Sequence, residues 1–485
     1  MGAGTYGDAA YRFLVPDAPH HKRTDRDLFP AFDSTRAATL NVFRARPGVQ
    51  RPSLVSSWSG SIDRLLLSFP SYGVHAAELA AGYRSVIDAM RVGTRFVVVH
   101  HESDRQTVEE WFSGHPAGNV SYVPMPDYVD FTDWAEDGYL ALVDTADAED
   151  AEDAEDADEG RTYLLEPWSF PRSGDSLIAD NVEEHTSVRA SQAPLVFQGG
   201  NCLIGDDFWL LGTDYFLDTL ELIRSGELPV SVPEGRTEVE FVRELFSRHV
   251  DSARELQLVG TKRPLGLKKY YATADAGEFF LDLPGGGTGD LQPIFHIDMF
   301  VTLAGPADDG RFRVLVGSPR LADEVLGTKS PYALQNAYDE IAAEFDRRGF
   351  AVQRNPLVHR PQITQQLTFA ALRDFAGTAD GAELREVVAE FTAAGAQPGS
   401  TIQVRSWHHI TWNNCLVENS SSVGRTVYLP TFGHGGQADL AVIDDEMDRL
   451  WTGLGFKVVR LADFNAFASR LGVVHCIKKY LGRGA

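Results

Sequence analysis

The chain has 485 residues, of which 43% are hydrophobic, enough to build a large buried core. Its 69 acidic residues against 44 basic ones give a formal net charge of −25, which argues against nucleic acid or an anionic membrane as a partner. Three cysteines without a CxxC pair indicate a reducing compartment. Neither a signal peptide nor an apolar run of about 20 residues is evident, so we expect a cytoplasmic protein without a transmembrane helix.

Residues 1–55 have weak periodicity and are interpreted as an N-terminal extension. The next predicted elements are, in order, a strand over 62–69, a helix over 79–90, a strand over 95–99, a helix over 103–113 and a strand over 120–123. A hairpin then joins 139–143 to 163–166. Residues 145–160, which repeat Ala-Glu-Asp, interrupt it as an acidic low-complexity loop that we expect to be solvated.

From residue 194 onward, an order of hairpin, helix and strand recurs three times, and it recurs more loosely in the first 170 residues. This recurrence indicates internal repeats within one α/β domain over 56–485 rather than separate domains. Segments 261–294 and 355–405 are interpreted as inserted loops. A ring of such units would bring loops from different repeats into one central cleft.

Two of the repeated helices carry end signals in the sequence. Thr237 and Glu240 form a capping-box pattern at the start of the first helix. The second helix is predicted to have Ser330 as its N-cap and Pro331 at its first position, and to end just before Gly349.

Cys476, close to the end of the sequence, is the candidate nucleophile. A thiolate is a strong nucleophile near neutral pH when neighbouring positive charge lowers its pKa. The alternative is a buried structural cysteine, which is the common fate of a free cysteine. We expect Cys202 and Cys415, which lie in apolar strand patterns, to be of that structural kind.

His296 and Asp298 occupy positions i and i+2 of a predicted strand, so both should point to the same side. His296 could protonate a leaving nitrogen and then activate water. Asp298 and Asp137 could bind two edges of a guanidinium, which favours bidentate carboxylate contacts. The alternatives are a core histidine oriented by its neighbour, and a turn residue before Gly138 in the case of Asp137.

The segment Phe197-Gln-Gly-Gly-Asn201 is rich in glycine, which would let the backbone approach a ligand closely or could simply mark a turn. No phosphate-binding loop accompanies it. His408 and His409 are adjacent on a predicted strand and therefore face opposite ways. Since no Cys/His cluster accompanies them, we expect neither a metal nor another cofactor.

Five segments, in this order, resemble the pentein, or guanidine-modifying, superfamily of agmatine deiminases, arginine deiminases, protein-arginine deiminases and amidinotransferases. They are 134–138, 197–201, 296–298, 427–433 and 472–476. The resemblance implies a five-bladed α/β propeller of ββαβ units as the fold. It also implies a site of these residues: the nucleophile Cys476, the guanidinium-binding Asp137 and Asp298, the general acid and base His296, and the substrate-binding Trp134, Gly200 and Asn201.

The sequence departs from that family in two places of chemical interest. Glu136 stands where agmatine deiminases carry arginine. Ile477, Lys478 and Lys479 follow Cys476, where the deiminases usually have small polar residues. These departures leave the substrate open among a free amino acid, a decarboxylated amine, an arginyl peptide and a natural-product intermediate.

The function that the resemblance implies is a cysteine-dependent deiminase of a guanidino compound. The reaction would proceed through a covalent amidino-thioether on Cys476 and release ammonia and a ureido product. The first alternative is an amidinotransferase, which passes the amidino group to an amine. The second is a catalytically silent protein that binds a guanidino ligand. The oligomeric state is not predicted.

Overall fold

The computed structural model describes residues 48–146, 161–168, 170, 172, 174–262, 265, 268–273, 277–282, 291–330, 334–378 and 384–484. Most of the predicted extension, most of the acidic loop and Pro331 lie outside these residues. Within the described ranges, no helix combines the length and the apolar character that crossing a bilayer requires.

The fold is of the mixed α/β class. Its strands are β1 Pro52–Leu54, β2 Ser61–Phe69, β3 Arg95–His101, β4 Val120–Met125, β5 Leu140–Asp144, β6 Thr162–Glu166, β7 Arg189–Gln192, β8 Cys202–Ile204, β9 Phe208–Gly212, β10 Glu255–Val259, β11 Lys268–Thr273, β12 Gly277–Asp282, β13 Val301–Pro306, β14 Phe312–Ser318, β15 Ala351–Thr368, β16 Thr401–Thr411, β17 Leu416–Ser420, β18 Gly424–Thr431, β19 Lys457–Asp463 and β20 Lys478–Gly484.

The α-helices alternate with these strands. They are α1 Ser71–His75, α2 Ala77–Ala89, α3 Arg105–Trp111, α4 Ile178–His185, α5 Thr213–Arg224, α6 Glu238–His249, α7 Pro319–Leu326, α8 Gln335–Arg347, α9 Phe369–Ala376, α10 Arg385–Ala393, α11 Ala441–Gly453 and α12 Asn465–Ala468.

In the described residues the strands form five sheets, in the orders β1-β5-β6-β7, β10-β9-β8, β12-β11-β16-β15-β14-β13, β17-β18-β19 and β20-β2-β3-β4. Each sheet contains a triplet of strands. The first and second strands of the triplet pair antiparallel, and the second and third pair in parallel. The triplets are β5-β6-β7, β8-β9-β10, β13-β14-β15, β17-β18-β19 and β20-β2-β3. At least one helix connects the two parallel strands of each triplet, because a parallel pair needs a crossover. The predicted order of hairpin, helix and strand is therefore confirmed.

The two ends of the described chain meet in one sheet. Strand β20, near the C-terminus, pairs antiparallel with β2, near the N-terminus, with Leu65 opposite Tyr480. Strand β1 lies within the predicted extension and pairs with β5. The β2–β20 pairing fixes the segment before β20, which contains Cys476, against the first unit of the chain.

The helices form where apolar residues recur at spacings of three and four, and they bury that face. In α2 the buried side chains are Leu79, Tyr83, Val86 and Ile87, as the sequence pattern predicts. Each such burial contributes about 1.5–3 kcal/mol. These side chains belong to a large core that also includes Phe467 and Cys476, so packing of the first unit supports the segment that carries the candidate nucleophile.

The structure confirms one predicted helix start and corrects the other. Thr237 Oγ1 accepts from the N–H of Glu240 at 3.2 Å, and the Glu240 carboxylate accepts from the N–H of Thr237 at 2.9 Å. Ser330 does not cap a helix: its hydroxyl and its N–H both donate to Asp323. Helix α8 begins at Gln335 instead, although Gly349 does follow its end with a positive φ of 89°.

The interpretation of residues 261–294 and 355–405 as loops is wrong. The first segment contains β11 and β12, which pair antiparallel. Strand β15 continues to Thr368 and pairs antiparallel with β16. Helices α9 and α10 lie between the two strands, and a small separate core includes Phe369, Leu372 and Phe391. The strands were not predicted because residues 359–366 are mostly polar and lack the apolar alternation of a half-buried strand.

Candidate active site

Four of the residues that the sequence singled out line one cavity, with a volume of about 280 Å³. This volume is at the lower end of the range for small-molecule sites. The lining residues are Trp134, Asp137, Arg172, Gln198, Tyr215, Phe295, His296, Arg470, Leu471 and Cys476. Trp134, Asp137, His296 and Cys476 are thus brought together from distant parts of the chain.

The site is built from equivalent positions of the repeated units. Shortly before its first strand, each unit carries one residue of the site. Asp137 before β5 and Cys476 before β20 line the cavity, whereas Asn201 before β8, Asp298 before β13 and Asn414 before β17 do not. All five are buried. The repeat therefore explains how residues far apart in sequence contribute to one cluster, and it identifies Asn414, which the sequence analysis missed.

Asn414 holds the Cys476 segment in place. Its Nδ2 donates to Cys476 Sγ at 3.2 Å, while its Oδ1 accepts from the backbone N–H groups of His475 at 2.8 Å and Cys476 at 3.3 Å. The thiol lies 3.8 Å from Asp298 Oδ2. Burial raises the pKa of the Cys476 thiol well above its usual value, and the negative charges of Asp298 and Asp137 raise it further.

Asp298 contacts both the thiol and the neighbouring imidazole. Its Oδ2 lies 2.8 Å from His475 Nδ1, whereas its Oδ1 is buried and has no hydrogen-bond partner among the described residues. Burial raises the pKa of Asp298 well above its usual value, and Glu136 and Asp137 add to the shift. Burial also lowers the pKa of His475, and the positive charge of Lys478 lowers it further, so this imidazole is neutral at pH 7.

The prediction that His296 and Asp298 lie on a strand is wrong. Residues Ile297–Met299 form a single 3₁₀ turn, and the strand begins only at Val301. Asn201 Oδ1 accepts from the N–H of Ile297 at 3.0 Å, and Ile297 O accepts from the N–H of Phe300. The N–H groups of Ile297 and Phe300 therefore cannot donate to a neighbouring strand. The turn, rather than strand alternation, orients the two side chains.

Asp137 shares its carboxylate between an arginine and the cavity. Its Oδ2 accepts from Arg172 Nη2 at 2.8 Å, and its Oδ1 lies 3.6 Å from His296 Nδ1. This Oδ1 is buried and accepts no hydrogen bond from the part of the chain that the structure describes. The turn interpretation also holds, because the N–H of Asp137 bonds to Trp134 O at 3.1 Å.

Gly200 makes the approach of His296 to Asp137 possible. A Cβ at this position would lie 2.5 Å from His296 Nδ1 and 3.1 Å from Asp137 Oδ1. His296 is further oriented by Gln198, whose Oε1 is 2.9 Å from His296 Nε2. Gln198 belongs to the glycine-rich segment noted in the sequence, although it was not selected as a site residue.

Asn201 is fully buried and is not one of the residues that line the cavity. Its side chain bonds Gln292 and the Ile297 N–H instead, and thereby holds the turn that carries Asp298. Cys202 and Cys415 are buried, as predicted, and burial raises the pKa of both thiols, that of Cys415 to about 12.

The two departures from the family pattern contact each other. Glu136 is 2.6 Å from Lys478 Nζ and 2.9 Å from Lys479 Nζ, and all three side chains are almost completely buried. Burial alone would raise the pKa of Glu136, but the two lysines outweigh it and lower this pKa to about 2. The N–H of Glu136 also donates to Cys476 O at 3.0 Å. The cluster therefore ties the segment of Asp137 to the segment of Cys476.

Within the described ranges, no group of three or more His, Cys, Asp or Glu side chains is arranged to hold a metal ion. The candidate site is therefore described by its thiol, imidazoles, carboxylates and arginines alone.

No protein-family model and no curated protein matches this sequence. Solved structures do match. An agmatine deiminase of C. jejuni has a TM-score of 0.50 at 11% identity, with 89% of this chain and 97% of that chain covered. A provisionally named agmatine deiminase has a TM-score of 0.50 at 14% identity, with 91% and 99% covered. The chain has the mixed α/β fold of these structures.

Proposed function

We propose that the protein is a cysteine-dependent hydrolase of a guanidino compound, a deiminase. One observation carries this proposal: Asp137 Oδ1 and Asp298 Oδ1 are buried carboxylate oxygens that have no hydrogen-bond donor among the described residues. A buried acceptor without a donor costs about 1–3 kcal/mol. A guanidinium offers planar N–H donors that match carboxylates, so such a ligand would satisfy both oxygens.

The charges of the site favour the same ligand. Asp137 and Cys476 line the cavity, and Asp298 Oδ2 lies 3.8 Å from the thiol. Burial and the negative charges of neighbouring groups raise the pKa of Asp298 and of Cys476. A bound cation would oppose these shifts by stabilising the anionic forms. A guanidinium would therefore activate its own nucleophile, because its charge favours the thiolate that attacks it.

In the proposed first half-reaction, the Cys476 thiol gives its proton to His296, and its Sγ attacks the guanidinium carbon while Asp137 and Asp298 hold the nitrogens. One C–N bond of the tetrahedral intermediate then breaks, and His296 supplies the proton with which ammonia leaves. His296 suits this role because it lines the cavity and because Gln198 fixes its ring. The product of this step is an amidino-thioether on Cys476.

In the second half-reaction, His296 takes a proton from a water molecule that attacks the same carbon. The C–S bond breaks, the thiolate of Cys476 is restored and a ureido product leaves. Trp134 forms one wall of the substrate site in this account, and Gly200 permits the close approach of His296 and Asp137. Asn201 acts by holding the turn of Asp298.

We also propose that the five units over 56–485 surround the site as the blades of an α/β propeller. The support is topological, because each of the five clustered residues precedes the first strand of a different unit. A propeller of five such units would bring these five positions together in its central cleft.

The experiment that tests the proposal measures ammonia and ureido product from a panel that includes agmatine, arginine and an arginyl peptide. The wild type is compared with Cys476→Ala and with Cys415→Ala, which removes a buried thiol outside the cavity. We expect turnover that is lost in Cys476→Ala and retained in Cys415→Ala. Turnover that survives in Cys476→Ala contradicts the proposal.

Two other outcomes identify the alternatives. Amidino transfer that occurs only when an amine is added indicates an amidinotransferase. Binding of a guanidino compound without turnover, with or without an amine, indicates a catalytically silent binding protein.

A further inference from the structure

Arg470 lines the same cavity as Cys476 and Asp137, and the proposed chemistry does not use it. Its guanidinium carbon lies 4.5 Å from the centre of the Tyr72 ring and 6.0 Å from that of the Trp134 ring. Its side chain is 39% exposed and lies 3.3 Å, through Nη2, from Asp133 Oδ1. Arg470 is thus an ordered cation at the accessible side of the site.

Most of the donors of Arg470 remain available to a ligand. An arginine carries five N–H donors, and in the part of the chain that the structure describes Arg470 makes one hydrogen bond, to Asp133. Arg172, the other arginine of the cavity, already donates through Nε to Asp175 and through Nη2 to Asp137. Arg470 is therefore the better placed of the two to bind an anion.

The backbone that carries Arg470 is held in a costly conformation. Leu471 has a φ of 71°, and it is the one non-glycine residue in the described ranges with a positive φ. Such a conformation costs about 1–2 kcal/mol and is often kept where a site needs it. Gly472 follows, and a Cβ there would lie 2.3 Å from the Trp134 ring. Contact with Trp134 therefore fixes the segment 470–472 beside the cavity.

Charged side chains of both signs line the cavity. Asp137 is the one carboxylate among its lining residues, and Arg172 and Arg470 are its cations. Asp137, with Asp298 beside the thiol, is assigned above to the guanidinium. A second ammonium on the ligand would meet the positive charge of Arg470, whereas a carboxylate would form the bidentate pair that arginine favours.

We propose that Arg470 determines substrate specificity by binding a carboxylate, and that the substrate is a small ω-guanidino carboxylic acid rather than a guanidino amine. This inference rests on the proposed function, because it assumes that the guanidinium occupies Asp137 and Asp298. A cavity of about 280 Å³ is of a size for a small molecule.

The test compares three compounds of equal chain length: an ω-guanidino acid, its neutral amide and the ω-guanidino amine. Each is offered to the wild type, to Arg470→Gln and to Arg105→Gln. Arg105 is the matched control, because it also makes an ion pair, with Glu109, and lies 5.7 Å from an aromatic ring, Tyr122, but outside the cavity. Steady-state kinetics are measured with all three proteins, and binding is measured by calorimetry in the Cys476→Ala background.

We expect the wild type to prefer the acid over the amide and the amine. Arg470→Gln should lower kcat/KM for the acid by about 10–100-fold, mainly through KM, and should change the value for the amide by less than about twofold. Arg105→Gln should change neither. An equal loss for acid and amide in Arg470→Gln, or a wild-type preference for the amine, overturns the inference.

Calorimetry separates this inference from the proposed function. Acid-selective binding that depends on Arg470 supports the inference even if no compound is turned over, in which case only the proposed hydrolysis fails. Turnover that depends on Cys476 but shows no preference for the acid leaves the hydrolysis intact and overturns the role of Arg470. Absence of any binding of the acid overturns the inference.

Discussion

The buried cluster of Glu136, Lys478 and Lys479 gives a stability prediction that can be worked out from the structure. Its ion pairs measure 2.6 and 2.9 Å, and its side chains are 0–6% exposed. The change Glu136→Gln preserves the shape of the side chain but leaves two buried ammonium groups without their carboxylate. Because removing one partner of a buried pair costs about 3–5 kcal/mol, we expect the free energy of unfolding to fall by about that amount.

The pH dependence of this loss has a definite sign. Burial lowers the pKa of Lys478 to about 8 even though Glu136 opposes the shift, so removal of Glu136 should lower this pKa further. Between that value and the ordinary lysine pKa, the unfolded chain binds more protons than the folded one, and stability therefore rises with pH. In the wild type this rise begins at about pH 8, and in Glu136→Gln it begins lower, so the deficit of the variant should become smaller as the pH is raised to about 8 and should change little above that value.

The assay is urea unfolding followed by tryptophan fluorescence. The control is Glu109→Gln, because the Arg105–Glu109 pair has a similar distance of 2.8 Å but exposed side chains, and it should lose less than about 1 kcal/mol. Combining Glu136→Gln with Lys478→Met and Lys479→Met should restore much of the stability, because no buried charge is then left unpaired. A Glu136→Gln variant as stable as Glu109→Gln would refute the reasoning.

Three further predictions concern the site. A guanidinium about 4 Å from the thiol stabilises the thiolate by about 4 kcal/mol at an effective dielectric constant of about 20, which lowers the thiol pKa by about 3 units. In pH–rate profiles, the acidic limb of kcat should therefore lie about 3 pH units below that of kcat/KM. Coincident limbs would contradict this. Gly200→Ala should lower kcat/KM at least about tenfold, because the added Cβ would lie 2.5 Å from His296 Nδ1. The control is Gly453→Ala, which has open space around it and should have no such effect in the same kinetic assay. Asn414→Ala should lower kcat and reduce the free energy of unfolding by about 1–3 kcal/mol, because it removes the side-chain oxygen that accepts from the His475 and Cys476 N–H groups. Unchanged kinetics and an unchanged urea midpoint would contradict this.

The repeated unit could be predicted because its signals are local. Strand alternation, helix spacing and the cap at Thr237 depend on neighbouring residues, and the structure confirms them. The part of β15 beyond Arg354 and the part of β16 before Ile410 were missed because their polar composition lacks the apolar pattern on which such predictions depend. Ser330 was misassigned because its partner, Asp323, lies outside the window in which a cap is recognised.

The candidate site shows the same division between local and tertiary information. Cys476, His296 and Asp137 could be selected because each lies in a short segment with a distinctive composition. Arg172 and Arg470 could not, because their sequence surroundings are ordinary and only the tertiary fold brings them to the cavity. Asn414 could have been selected from the sequence, although it was not. It precedes the first strand of a repeated unit, as Asn201 does, and this shared position would have identified it.

The pairing of Glu136 with Lys478 and Lys479 also depends on tertiary structure. In the sequence, each departure from the family pattern counts separately against the resemblance. In the structure, the carboxylate and the two ammonium groups compensate each other and join the two segments that carry Asp137 and Cys476. The carboxylate of Glu136 is therefore paired with an ammonium group about 340 residues away in the sequence.

The central claim is that Cys476 forms a covalent amidino-thioether. The most direct measurement is mass spectrometry of the protein after acid quenching during turnover of a guanidino substrate, followed by mapping of the modified peptide. The account predicts an added amidino group on the peptide that contains Cys476, and none in His296→Ala kept without substrate. Sustained turnover without any adduct on Cys476, or an adduct on Cys202 or Cys415 instead, would contradict it.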